Sequence, residues 1–534
     1  MYRIKEYNEI ISGKSTYRRS CNKMRTDGKK IMGVFLVLSG IILSAGCSGG
    51  EKSTTSTEKT VIIAKNSDNG NQPEEYYLGA NQEADSNVNI NINRLGYRKQ
   101  DEKIAVVRNY SGQSKFDVLS EEGKVVYSGY LETAQMSSMY DEAIYYADFS
   151  DLKKEGTYYI MCGDDAASPI FDINNHVYQE LERLAARPFM EKTSVNVKGI
   201  VIETQKKQNV SGGWYIDSDN SRYVVTSTVA LANLWNLKDY YKKSKLIVKN
   251  GKTEETIDVA KQCKEEVRWL LKMQDMTSGG VYHKVSINGE GTEQTPYISR
   301  VSTCATADFA AVMAKASMKY AKEDKNLSNQ CIKAAKLAWE YLEAHKDNQV
   351  FSNSNGIKSR EYSDTSDADE RLWAAVELYL ATGDEGFLER IEQYMSTTST
   401  IDFGWQNVSG FALFDFYVGE DKKNTSLFEK VNEKLQKEVA NSLKGLDSGE
   451  LINEEYAKEK TQYVINRGAL LSLMEKVDAN KKLKYSVGVK HYLDYILGLN
   501  ERSNNSLSGM TDEKEEQSLD ISSALLLMLQ NIAK

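Results

Sequence analysis

The sequence predicts a multidomain protein in which a small β-sandwich is followed by an all-α domain. Three observations carry that expectation. Short runs of β-forming, often alternating, residues recur between Val88 and Met161, apolar residues adopt helical spacing from about His176 onward, and the chain contains only 4 prolines. Its 534 residues exceed one ordinary domain, so two domains plus connecting segments is the starting expectation.

The N-terminal elements read as an address. Arg25, Lys29 and Lys30 precede the apolar run Ile31 to Leu43, which ends in Leu43-Ser44-Ala45-Gly46-Cys47. A basic stretch, a short apolar stretch and small residues describe an export signal, and the run is shorter than a confident membrane span. Small residues directly before a Cys resemble the bacterial lipobox, which implies lipidation at Cys47 and an extracytoplasmic protein held at the cell membrane. A plain signal peptide with an incidental Cys is the other reading. The stretch before Met24 has no export logic, which makes Met24 a candidate start. Residues 1–47 are thus assigned to the signal and lipobox. Residues 48–87, rich in Ser, Thr, Asn, Gln and Glu, are assigned to a disordered tether too polar to form a core.

The sandwich is expected over residues 88–175. Val88-Asn89-Ile90-Asn91-Ile92 alternates as a half-buried strand should. Lys103 to Val107, Phe116 to Leu119, Val125 to Tyr127, Ile144 to Phe149 and Thr157 to Met161 follow, with Gly123 and Gly156 at turn positions. The helical part is expected over residues 176–534. Phe309, Val312, Met313 and Ala316 share one helix face, as do Leu372, Ala375, Val376 and Tyr379, and again Val489, Tyr492, Leu493 and Ile496. Gly498 is read as a helix stop. With little strand signal, this part is expected to be mostly α; periodicity alone does not distinguish a barrel from a solenoid.

Composition excludes some functions. A net charge of −8 argues against a nucleic-acid partner. The four histidines, His176, His283, His345 and His491, offer no pair at zinc-ligand spacing, and no cofactor or metal is expected. Cys162, Cys263, Cys304 and Cys331 form no CxxC pair and read as buried thiols.

The segment Gly212-Gly213-Trp214-Tyr215-Ile216-Asp217-Ser218-Asp219-Asn220-Ser221-Arg222-Tyr223-Val224-Val225 resembles the stretch that carries the catalytic base in glycoside hydrolase family nine, the inverting cellulase-type enzymes. Trp269-Leu270-Leu271-Lys272-Met273-Gln274, Val301 to Ala314, Asp369-Glu370-Arg371-Leu372-Trp373-Ala374-Ala375 and Leu493 to Asn500 are similar to further family segments in the same order. Asn93-Arg94-Leu95-Gly96-Tyr97, Gly123 to Gly129 and Gly156-Thr157-Tyr158-Tyr159 resemble the immunoglobulin-like domain that precedes many such enzymes. The resemblance implies an N-terminal immunoglobulin-like β-sandwich followed by an (α/α)6 barrel.

It also implies a chemistry. Inverting hydrolysis needs one carboxyl group for the leaving oxygen and one for water, roughly 6.5–9.5 Å apart. Asp219 falls on the family's general base, and Glu516 is the candidate general acid. The competing view of Glu516 is one member of a solvated acidic first turn with Asp512, Glu513 and Glu515. Ile216 replaces the family's first Asp, which helps to hold the attacking water, and the family's Pro-His-His-Arg loop is absent. Trp214, Tyr215, Tyr223 and Trp373 are candidates for a sugar-binding floor, with barrel core as the alternative for each. Two functions follow. One is an exported, membrane-anchored glycoside hydrolase that cleaves β-glycosidic bonds of a cellulose-like or related polysaccharide. The other is a catalytically impaired relative that binds glycans at the cell surface.

Overall fold

A computed structural model describes residues 89–533 except 134–142, 165, 191–197, 216–220, 251–252, 289–294, 422–424, 449, 458–459, 501–504 and 508–517. The export run, Cys47 and the tether lie outside the described residues.

The first part is two antiparallel sheets. One has the order β1-β2-β6-β5, built from Asn89–Asn91 (β1), Ile104–Arg108 (β2), Glu132–Thr133 (β5) and Ile144–Asp148 (β6). The other runs β4-β3-β7-β8, from Lys115–Ser120 (β3), Val125–Tyr130 (β4), Gly156–Cys162 (β7) and Ala166–Ala167 (β8), with Phe171–Ile173 (β9) pairing β7. The alternation in Phe116 and Val118, or in Tyr158, Ile160 and Cys162, places every second side chain in the core. At its centre Tyr97 meets Phe149 and Phe171 edge-on, with ring centroids 5.2 and 5.5 Å away.

The second part alternates outer and inner helices. The outer ones are α1 (Gln179–Ala186), α3 (Val259–Leu270), α5 (Lys325–Ala344), α7 (Gly386–Thr397), α9 (Ser426–Ser448) and α11 (Lys482–Asp494). The inner ones are α2 (Val224–Tyr241), α4 (Thr303–Tyr320), α6 (Ala368–Thr382), α8 (Ser409–Gly419), α10 (Thr461–Val477) and α12 (Leu519–Ile532). Sequence composition separates the two sets. Helix α5 buries Leu327, Cys331, Ala334, Ala335, Ala338, Tyr341 and Leu342 and exposes the rest, whereas α4 is buried on all sides through Ser317. Side-chain oxygens of Asp258, Ser302 and Asp324 accept N–H groups of the first turns of α3, α4 and α5, and Gly383 (φ +69°) ends α6. Inner helices pack as a ring, α2 on α4, α4 on α6, α6 on α8, α10 on α12 and α12 back on α2. Between α8 and α10 the ring is closed through the turn before α8: Asn466 donates to Asp402 (3.1 Å) and Arg467 to the Ile401 carbonyl (2.8 Å). A buried triad ties three inner helices together, Lys315 of α4 contacting Glu377 of α6 (3.1 Å) and Asp415 of α8. This is the (α/α)6 barrel.

The second part is mostly α, as expected, with some short strands added. Short strands lie among the helices: Lys198–Val201 (β10), Lys207–Asn209 (β11), Arg222–Tyr223 (β12), Lys245–Asn250 (β13), Thr253–Asp258 (β14), Val281–Tyr282 (β15), Lys284–Asn288 (β16), Thr295–Ile298 (β17) and Val301–Ser302 (β18). Five of them form one sheet, ordered β11-β10-β17-β16-β12. Most are too brief to show a period.

Two motifs far apart in sequence meet where sandwich and barrel join. Asn93 donates through Nδ2 to Asp494 Oδ1 (2.7 Å) and to the Tyr178 hydroxyl (3.0 Å), and the Arg94 N–H donates to the Leu497 carbonyl (2.8 Å). Gly498, at φ +137°, is not a simple stop: it lets the chain turn so close to β1 that an added Cβ would sit 2.4 Å from the Ile92 carbonyl oxygen. Glu102 faces His491 across the same junction (2.9 Å).

Candidate active site

Because outer helices return the chain between inner ones, all inner helices run the same way and their N-termini open at one end of the barrel. Segment 216–220, which holds Asp219, leads directly into β12 and α2. Segment 508–517, which holds Glu516, leads directly into α12. Both lie outside the described residues, so the described site consists of the stems and walls around them. The helices that these segments enter are neighbours in the ring, joined inside it by Asn233 Nδ2 donating to Ser523 Oγ (3.0 Å).

The stem before Asp219 is held from beneath. Gly212 and Gly213 have φ of +95° and +83°, and an added Cβ on Gly213 would lie 2.5 Å from the Trp269 ring. Only glycine tolerates both the backbone conformation and that approach. Its turn sends Trp214 inward. That ring meets Phe189 edge-on at 5.0 Å, donates from Nε1 to Gln262 (3.2 Å) and is 2 % exposed. Trp214 therefore belongs to the core, not to a sugar-binding floor. Trp373 does too: fully buried, it stacks on Phe411 (5.3 Å) and donates to Glu377 (3.3 Å). Tyr215 is half-buried at the edge of the stem.

Tyr223 is buried but starts an aromatic series. Its ring meets Tyr362 (4.7 Å), which in turn meets Trp405 (4.9 Å), and Trp405 is half-buried. Tyr362 has φ +48°, a conformation costing a non-glycine residue on the order of 1–3 kcal/mol. Burial, then the charge of Asp520, push its hydroxyl up to about 12. Asp520, in the first turn of α12, accepts from Gln462 and Ser518, and burial raises its pKa. Sequence reasoning missed Tyr362, Trp405, Gln462 and Asp520. The available signal was that Tyr362 and Trp405 are aromatic residues in connecting segments, outside any helical period.

Beside this wall lies a group of carboxyls: the buried Asp308 of α4 and Asp369 and Glu370 of α6, with the half-buried Asp364. Burial, and mutual repulsion between neighbouring acids, raise all four, Asp369 to about 6. Asp369 Oδ2 accepts the Val408 N–H (2.8 Å) and so fixes the start of α8. Among the described residues no set of three acidic, His or Cys side chains is arranged to hold a metal ion.

The profile of Glycosyl hydrolase family 9 matches residues 158–522, and that of the cellulase N-terminal Ig-like domain matches residues 85–167. The chain belongs to glycosyl hydrolase family 9. Endoglucanase D of Acetivibrio thermocellus is 26 % identical over 463 residues, covering 79 % of this chain and 73 % of its own. The cellodextrinase of Butyrivibrio fibrisolvens is 25 % identical, covering 78 % and 84 %. A metagenome-derived family 9 endoglucanase shares the fold with a TM-score of 0.69 at 21 % identity, over 84 % of this chain and 99 % of that one.

For a family 9 hydrolase the described end of the barrel has useful chemistry. Aromatic faces pack against the apolar faces of sugar rings, and Trp405 and Tyr215 retain exposed surface for that. Burial and neighbouring acids favour the neutral form of the Asp308 and Glu370 carboxyls, in which a carboxyl donates a hydrogen bond as well as accepting one.

Proposed function

We propose that this family 9 protein hydrolyses a β-linked glucan of the cellulose type with inversion, Asp219 activating water and Glu516 protonating the leaving oxygen. One observation carries the reading. The segments that bear these residues enter two adjacent inner helices, at the barrel end walled by Tyr223, Tyr362 and Trp405. The endoglucanase and cellodextrinase relatives support the substrate class. Ile216 leaves the attacking water with one carboxylate rather than two, so turnover is slow. The address read at Arg25 to Cys47 supports export and lipid anchoring, which puts this activity at the outer face of a membrane. A Cys47→Ala variant that still partitions with membranes would argue against the anchor.

Reducing-sugar release from a panel of β-glucans tests the proposal. Weak release from at least one glucan is expected, and Ile216→Asp should raise it. An inert wild type that gains nothing from Ile216→Asp, yet is retarded by glucan in affinity electrophoresis, would favour the glycan-binding reading.

A further inference from the structure

We propose that Glu266 is a positioning residue for the reaction: from outer helix α3 it holds the stem that leads into segment 216–220 and so helps to position Asp219. The inference rests on Asp219 acting as the base.

Glu266 is an acidic residue with 1 % exposure on a helix otherwise amphipathic, and its carboxyl points into the barrel rather than to water. Its Oε2 accepts the backbone N–H of Trp214 at 2.8 Å. Gln262, Glu266 and Trp269 lie at i, i+4 and i+7, so they share one face of α3. All three bear on the same short stem: Gln262 takes the Trp214 indole N–H, Glu266 its amide, and the Trp269 ring supports Gly213. Beyond the segment, Arg222 is 2 % exposed and anchored by the pairing of β12 with β16, and its positive charge favours the ionised form of the Glu266 carboxyl. Glu266 thus holds the backbone two residues before the segment.

Burying such a group is costly, since a carboxyl away from water loses its hydration. The cost is visible in its acidity: burial pushes Glu266 up to about 8 despite the Trp214 amide, Ser227 and Arg222. A glutamine would present the same acceptor oxygen to Trp214. What the site gains is a fixed geometry for the water-activating group, where a displacement of about 1 Å can cost about 100-fold in rate.

The test compares Glu266→Met, which keeps the volume and removes the acceptor, with Glu266→Gln, which keeps it. Steady-state kinetics on a cello-oligosaccharide are measured with hydrogen exchange of the peptide spanning Gly212 to Tyr223. Glu266→Met should lower kcat about 10- to 100-fold with KM within about twofold, and speed exchange in that peptide at least about tenfold but not in α4 or α6. Glu266→Gln should stay within about threefold of wild type in kcat. In an Asp219→Asn background Glu266→Met should cost nothing further, because its effect runs through Asp219. Equal losses in both backgrounds, or wild-type kcat in Glu266→Met while Asp219→Asn is inactive, would overturn the positioning role alone. Full turnover in Asp219→Asn would overturn the base assignment instead. Unchanged exchange in Glu266→Met would overturn the clamp even in an inert protein. Should Glu266→Met fail to fold, Glu266→Asp, which withdraws the carboxyl by one methylene, takes its place with the same criteria.

Discussion

Replacing Asn93 by alanine should destabilise the whole folded unit, because its side chain is one of the ties between the sandwich and the barrel. Asn93 is fully buried. Its amide donates to the Asp494 carboxylate at 2.7 Å and to the Tyr178 hydroxyl at 3.0 Å, and its oxygen accepts the Leu95 N–H at 3.0 Å. A hydrogen bond to a charged group contributes about 1.5–3 kcal/mol and a neutral one about 1 kcal/mol. Asp494 keeps Lys490 as partner at 2.5 Å, which limits its penalty, so a total loss of about 3 kcal/mol is expected. At about 2 cal/mol/K per residue, a unit of roughly 440 residues has an unfolding entropy of about 0.9 kcal/mol/K, so Tm should fall by about 3 °C. Differential scanning calorimetry on wild type and Asn93→Ala reads this directly, with Lys115→Ala, an exposed residue of the sandwich, as control. A shift no larger than that of the control would refute the view that the junction is a cooperative part of the fold.

Other expectations concern the cleft and the pH response. Trp405→Ala should raise KM on cello-oligosaccharides about tenfold or more, a loss of about 1–2 kcal/mol of ring packing, whereas Trp373→Phe should lower stability and leave KM unchanged; the reverse pattern in steady-state kinetics would relocate the floor. Stability should decline on the alkaline side. Burial alone would depress His491, but its bond to Glu102 outweighs this and raises it, while that same bond holds Glu102 below the carboxylate range despite burial. The raised His contributes fully below its ordinary pKa of 6.5 and fades as pH rises through its folded value; the lowered Glu contributes above 4.5 and fades as pH falls through its own. The clasp, which also faces Lys490 and Asp494, is therefore strongest between those limits. Thermal melts from pH 5 to 9 should show a steeper alkaline decline in wild type than in His491→Gln, and parallel curves would contradict the clasp.

Much of the fold was legible because its signals are local. Phe116 and Val118 alternate, Leu372, Ala375, Val376 and Tyr379 recur on one helix face, and both periods survive folding unchanged. The ring of helices was not legible from period; only the resemblance supplied it, since stacked helix pairs leave the same pattern in a solenoid. Strands such as Arg222–Tyr223 escaped because two residues carry no period, and their pairing with Lys284 and Val285 depends on the tertiary fold. At the site, the sequence drew attention to Trp214 for its place beside Asp219, but the positive φ of Gly213 turns that ring into the core. Tyr362 and Trp405 were missed because their partners come from other segments. Glu266 was invisible for the same reason: a lone acid in an amphipathic helix looks like a solvent-facing residue until its bond to the Trp214 amide is seen.

The central claim is that Asp219 and Glu516 act on opposite sides of one glycosidic bond. The most direct measurement is proton NMR of the first products from a cello-oligosaccharide, with wild type, Asp219→Asn and Glu516→Gln run side by side. Inversion of a β-linkage predicts that the α-anomer appears first with wild type and that each variant loses nearly all turnover while keeping its melting transition. Initial release of the β-anomer, or wild-type rates in either variant, would contradict the account.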